Sequence, residues 1–163
     1  MIFALSPSTH DAAHRVEHEL EDGTRLVWEL LDREPSDAVV AMEVELESST
    51  AWIARLDRVD FPAGGIAYRH VHPGPGIRRI LHGELTIDRE GDESQTYRAG
   101  DAWFEGANDP VLATASPAED TAFVRVLLLP AECAGRRTIR YVDPADEAKP
   151  RLQTATILRE VPL

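Results

Sequence analysis

Short runs of β-branched, aromatic and aliphatic residues, each stopped by a tight-turn signal, constrain this chain more than any other feature. The runs 24–31, 37–46, 51–61, 77–88 and 121–129 are the strongest, with shorter ones near 65–72, 95–98, 101–105, 110–115 and 137–142. Several alternate in period two, as strands with one covered face do. Between them stand Pro62-Ala63-Gly64-Gly65, Pro73-Gly74-Pro75-Gly76, Glu90-Gly91-Asp92 and Ala99-Gly100-Asp101. Many short strands with regular Gly/Pro/Asp punctuation predict an all-β sandwich or barrel. Helix is expected only at the ends, over Thr9–Glu19 and Pro144–Ala148. A chain of 163 residues suits one domain spanning 1–163, because two separate cores would each be marginal.

The formal net charge of −12 creates a field that repels phosphate backbones and anionic lipid, so nucleic acid and membrane are poor partners. No stretch is apolar for long enough to span a bilayer, and the first residues do not read as a secretory leader, so a cytoplasmic protein is expected. Cys133 is the only cysteine, which excludes an internal disulfide and a multi-cysteine zinc site. Nucleotide-loop, nucleophile-elbow and HExxH patterns are absent. His10, His14 and His18 would line one face of the expected N-terminal helix.

The chemistry concentrates in Gly64-Gly65-Ile66-Ala67-Tyr68-Arg69-His70-Val71-His72-Pro73-Gly74-Pro75-Gly76, with Gly83 following. Positions i and i+2 of a strand face the same way, so His70 and His72 present two imidazoles to one interior point. Such a pair can hold a metal with further donors, or hydrogen-bond in a polar pocket without one.

These residues resemble the first motif of the cupin superfamily, in which a glycine precedes His-x-His by five residues and a glutamate and a second glycine follow. Gly64, His70, His72 and Gly83 match, but Gly76 stands at the glutamate position. Gly100 matches the start of the second motif, where Gly106, Asn108, Val111 and Ala115 replace the remaining residues. The resemblance covers about residues 57–130 and implies a cupin-type double-stranded β-barrel, a jelly roll, with flanking strands at both ends.

The resemblance implies a divalent metal (Fe, Ni, Zn or Mn) on His70 and His72, with Glu105 as the nearest replacement donor or a rim carboxylate. Parity along the strand after Gly76 places Arg78 inside, holding a carboxylate of Glu105 or of a substrate, or else reaching the rim. His82 shares that face about 20 Å further on. Tyr68, in phase with the histidines, would touch a ligand or fill the wall. Three functions remain open: a metal-dependent, dioxygenase-, isomerase- or cyclase-like enzyme acting on a small molecule, a non-enzymatic small-molecule-binding barrel, and a structural barrel whose main task is dimerisation. A homodimer is expected in any of these cases.

Overall fold

The computed structural model describes residues 1–163. Its fourteen strands are β1 (Ile2–Ser6), β2 (His14–Glu19), β3 (Arg25–Leu31), β4 (Val40–Glu43), β5 (Trp52–Phe61), β6 (Ile66–Val71) and β7 (Gly76–His82), followed by β8 (Glu84–Arg89), β9 (Gln95–Arg98), β10 (Ala102–Glu105), β11 (Val111–Ala115), β12 (Thr121–Pro130), β13 (Arg140–Tyr141) and β14 (Thr154–Pro162). They form three antiparallel sheets ordered β2-β3-β1-β4, β10-β7-β12-β5-β14 and β13-β6-β11-β8-β9. The second and third sheets face each other as the jelly-roll barrel, and the first covers the outer face of the second.

That layering explains why β5 and β12 are buried almost throughout. Val59, Phe61 and Phe123 turn inward and join Ala67, Leu85, Ile87 and Trp103 in the barrel core. The alternate residues Ala54, Leu56, Val124, Val126 and Leu128 turn outward and pack on Phe3, Leu5 and Trp28 of the first sheet. Trp28 also donates its Nε1–H to the Ile77 carbonyl at 3.3 Å, tying the two layers. A strand covered on both faces loses the simple inside-outside alternation.

Two expectations are corrected. The run 77–88 is two strands, β7 and β8, because Gly83 turns the chain at φ 78°, a left-handed conformation that favours glycine. Residues 9–19 carry strand β2 instead of a helix: Val16 is its one buried residue and β3 supplies its hydrogen-bonding partner. Strands β1 and β14 lie at the two ends of the chain, outside the runs named above. Over Pro144–Ala148 the expected helix is present as a 3-10 segment whose Asp143 side chain accepts from the Ala145 N–H.

Candidate functional site

The barrel encloses a cavity of about 470 Å³. Strand register stratifies it. Asp57 lies opposite Arg125, Arg125 opposite Arg78, and Arg78 opposite Trp103, which makes one polar row across the inner face of the second sheet. The next row in one direction is apolar, Val59–Phe123–Ile80, and continues into a floor with Phe61, Leu85 and Ala113. In the other direction the row Arg55–Leu127–Gly76–Glu105 leads toward exposed Arg136, Arg137 and Arg151, which line the cavity mouth.

His70, His72, Arg78 and Glu105 all line this cavity. Arg78 leans along its strand, donating from Nη1 to the Gly76 carbonyl at 2.6 Å and pairing through Nη2 with Glu105 Oε2 at 2.6 Å. Trp103 Nε1–H donates to the other Glu105 oxygen at 2.7 Å. Burial works against ionisation of Glu105, but Arg78 and the indole N–H outweigh it and hold the carboxyl below its usual range. Burial also pulls Arg78 down to about 10, with Glu105 opposing, so the guanidinium stays charged at neutral pH.

Arg125 pairs through Nε and Nη2 with Asp57 Oδ2, each at 3.1 Å, and Arg55 Nε approaches the other Asp57 oxygen at 3.1 Å. Arg55 continues to the Arg136 carbonyl at 2.7 Å and to Thr138 Oγ1 at 2.9 Å, drawing the loop after β12 over the barrel. Arg55, Asp57, Arg125 and Thr138 are functional candidates that sequence reasoning missed. The signal for Arg125 is a lone charge inside the apolar run Phe123–Leu129; the signal for Arg55 and Asp57 is their shared parity with Val59 and Phe61.

The hydrogen bonds define the state of both histidines. Guanidinium only donates, so His72 Nε2, 3.0 Å from Arg125 Nη1, accepts; its Nδ1–H then donates to Thr138 Oγ1 at 3.2 Å. His70 donates its Nδ1–H to the Tyr68 carbonyl at 2.7 Å, leaving Nε2 as an acceptor. The rings meet edge-on, 5.1 Å between centroids. Burial lowers His70 to about 4 and, with Arg125 beside it, holds His72 well below its ordinary value, so both are neutral at pH 7.

Two expected site residues lie outside the cavity. A bulge in the β6–β11 pairing makes Ala67 and His70 successive inward residues, and Tyr68 turns away to stack under Lys149, whose Nζ is 4.2 Å from the ring centroid. His82 is exposed beyond the apolar floor and donates from Nδ1 to the Asp120 carbonyl at 3.2 Å.

The fold implies a divalent metal on the two histidines, and the residues present do not fit one. The ligating nitrogen of His72 is engaged by Arg125, Glu105 is held by Arg78, and apolar Val111 lines the wall at the second-motif histidine position. At Gly76, a Cβ would stand 2.9 Å from Arg78 Nη1 and 2.9 Å from the Val126 carbonyl, so a glutamate there collides with the arginine. No group of three or more His, Cys, Asp or Glu side chains is placed to hold a metal ion.

Among known proteins, residues 57–111 match the family model described as "Cupin domain". No curated protein matches the sequence. Similar solved structures include the polyketide cyclase RemF from Streptomyces resistomycificus, 17% identical over 55% of this chain and 61% of that one, TM-score 0.45. The DMSP lyase DddQ from Ruegeria pomeroyi DSS-3 is 23% identical over 58% of this chain and 45% of that one, TM-score 0.46. An RmlC-like cupin with a double-stranded β-helix fold from Methanocaldococcus jannaschii is 16% identical over 77% and 88%, TM-score 0.44. The chain thus covers less than two thirds of RemF and of DddQ. The segment similar to the cupin domain runs from within β5 to the start of β11 and includes the spaced pair His70 and His72.

Proposed function

We propose that this cupin barrel takes up a small organic molecule at a site organised by arginine rather than by a resident metal. The observation that carries the reading is the Arg125–His72 hydrogen bond, which puts a guanidinium on the nitrogen that would ligate the metal. A cavity of about 470 Å³ falls in the roughly 300–1,000 Å³ range of small-molecule pockets, and it combines apolar walls with a few convergent polar groups. Elemental analysis with native mass spectrometry of protein loaded with Fe, Ni, Zn or Mn tests this. The expected result is substoichiometric metal, unchanged in a His70→Ala/His72→Ala variant. Near-stoichiometric metal that disappears with the histidines defeats the reading.

A metal-independent enzyme is the second reading, favoured by His70 Nε2, a neutral acceptor lining the cavity that can receive a proton from a bound substrate. The assembly we assign is a homodimer, supported by the edge strand β14 with its exposed Ile157 and Leu158, and its measured mass in solution tests that. We place the protein in the cytoplasm, in keeping with the lone free Cys133.

A further inference from the structure

We propose that the ligand is a hydrophobic carboxylic acid with a hydroxyl beside its carboxylate, bound with the acid on the Arg78–Arg125 row, the hydroxyl on His70 and the apolar body on the floor. The inference rests on the metal-free reading above and adds the class of molecule.

Charge is the first argument. The 17 basic residues are sixteen arginines and Lys149, and six of those arginines, Arg55, Arg78, Arg125, Arg136, Arg137 and Arg151, line one cavity of a chain whose net charge is −12. Asp57 and Glu105 are the only carboxylates lining it. Arg78 and Arg125 sit directly opposite each other on neighbouring strands, an arrangement that repels unless anions lie between or beside them. Asp57 is shared by Arg125 and Arg55, Glu105 serves Arg78, and Arg55 also approaches Glu160 outside the cavity at 3.9 Å, so within the cavity three buried guanidinium groups face two carboxylates. At the mouth, Arg137 and Arg151 share the single carboxylate of Glu147. An anion entering from solvent meets cationic groups along the whole path and compensates the inner excess.

Donor geometry is the second. A guanidinium presents more N–H groups than these partners use: Arg78 spends Nη1 on a carbonyl and Nη2 on Glu105, and each of those nitrogens keeps a second hydrogen. Two opposed guanidinium groups with spare N–H suit a carboxylate better than a neutral carbonyl. His70 is the third argument: its Nδ1–H is spent on the Tyr68 carbonyl, so Nε2 accepts and selects a ligand hydroxyl instead of a second anion. The floor is the fourth. Phe123 meets Trp103 edge-on at 5.6 Å and Phe61 at 6.2 Å, and with Val59, Leu85 and Ala113 these rings form a surface for an aryl or branched alkyl group.

Isothermal titration calorimetry on the full wild-type chain with 3-phenyllactate, 3-phenylpropionate and 3-phenyllactamide tests the assignment. 3-Phenyllactate should bind best, the amide on the order of 100-fold weaker and the deoxy acid about 10-fold weaker. In His70→Leu the two acids should bind equally, a loss of hydroxyl preference that a merely structural role would not produce. An amide that binds as tightly as the acid overturns the carboxylate assignment while leaving the metal-free site standing. Hydroxyl preference that persists in His70→Leu removes His70 from the site. Failure of all three compounds to bind overturns this inference, and the metal measurement above then decides the reading beneath it.

Discussion

Arg125 donates from Nη1 to His72 Nε2 across 3.0 Å, and the same guanidinium holds Asp57 Oδ2 at 3.1 Å. One cation thereby sets the tautomer of the histidine, compensates a buried carboxylate and closes the position a metal would take. Because His72 and Arg55 both donate to Thr138 Oγ1, the loop after β12 is held to the barrel by the same network.

Removing one partner from that network strands the other. Arg125→Met leaves Asp57 inside the barrel with Arg55 alone and should cost about 3–5 kcal/mol of stability, as should other disruptions of a buried pair. Adding Asp57→Asn should recover part of the loss, giving a coupling of about 1–3 kcal/mol in a double-mutant cycle read by urea unfolding. Additive losses would show that Arg125 acts through packing and not through Asp57.

Gly76 is required by space, since its φ is not in the left-handed region. The Leu127 side chain stands nearest a Cβ built there, the Val126 carbonyl at 2.9 Å is backbone and cannot move aside, and Arg78 Nη1 at the same distance is held by the Gly76 carbonyl while Glu105 holds Nη2 of the same guanidinium. Gly76→Ala should therefore destabilise by about 1–3 kcal/mol, the usual cost of overpacking. A melting temperature equal to wild type would mean that Arg78 has other places to go and that its pairing with Glu105 is loose.

Much of this site could be read from spacing alone. His70 and His72 follow from i, i+2 parity, and Arg78 with Glu105 from parity around Gly76; the structure brings all four into one cavity. Tyr68 failed the same test because the β6 bulge, invisible in sequence, shifts parity by one. Arg55 and Asp57 were hidden because β5 is covered on both faces, so its polar residues do not mark an outer side. Thr138 could not be found by any local rule, since its contacts, Arg55 and His72, lie 83 and 66 residues away in the chain.

Acid should unfold the barrel through its histidines. Burial depresses His70 to about 4, so between an unfolded value near 6.5 and the folded one the unfolded chain binds the proton more readily. Stability present above pH 6.5 is lost as pH falls toward 4, by about 2 kcal/mol at pH 5 from His70 alone, and His72 adds loss of the same sign. Unfolding free energies at pH 7.5 and 5.0 should fall less in His70→Gln than in wild type. Equal falls would place the acid sensitivity in other groups.

The opposite sign belongs to the first sheet. His10 donates from Nδ1 to Glu29 Oε2 at 2.8 Å and faces Asp37 Oδ1 through Nε2 at 2.9 Å, while Arg15 Nε holds the other Glu29 oxygen at 2.7 Å. The Glu29 hydrogen bond, with Asp37 adding its charge against a smaller effect of desolvation, raises the pKa of His10, so the imidazolium links the segment before β2 to β3 and to the loop after it. A raised folded value means that this contribution is complete below pH 6.5 and disappears as pH climbs through the folded pKa. His10→Gln should remove that decline, and NMR titration of the His10 ring should give a midpoint above 6.5 that Asp37→Asn lowers. A His10 midpoint at or below 6.5 would show that the two carboxylates do not share a proton-bearing ring and that this link is insensitive to pH.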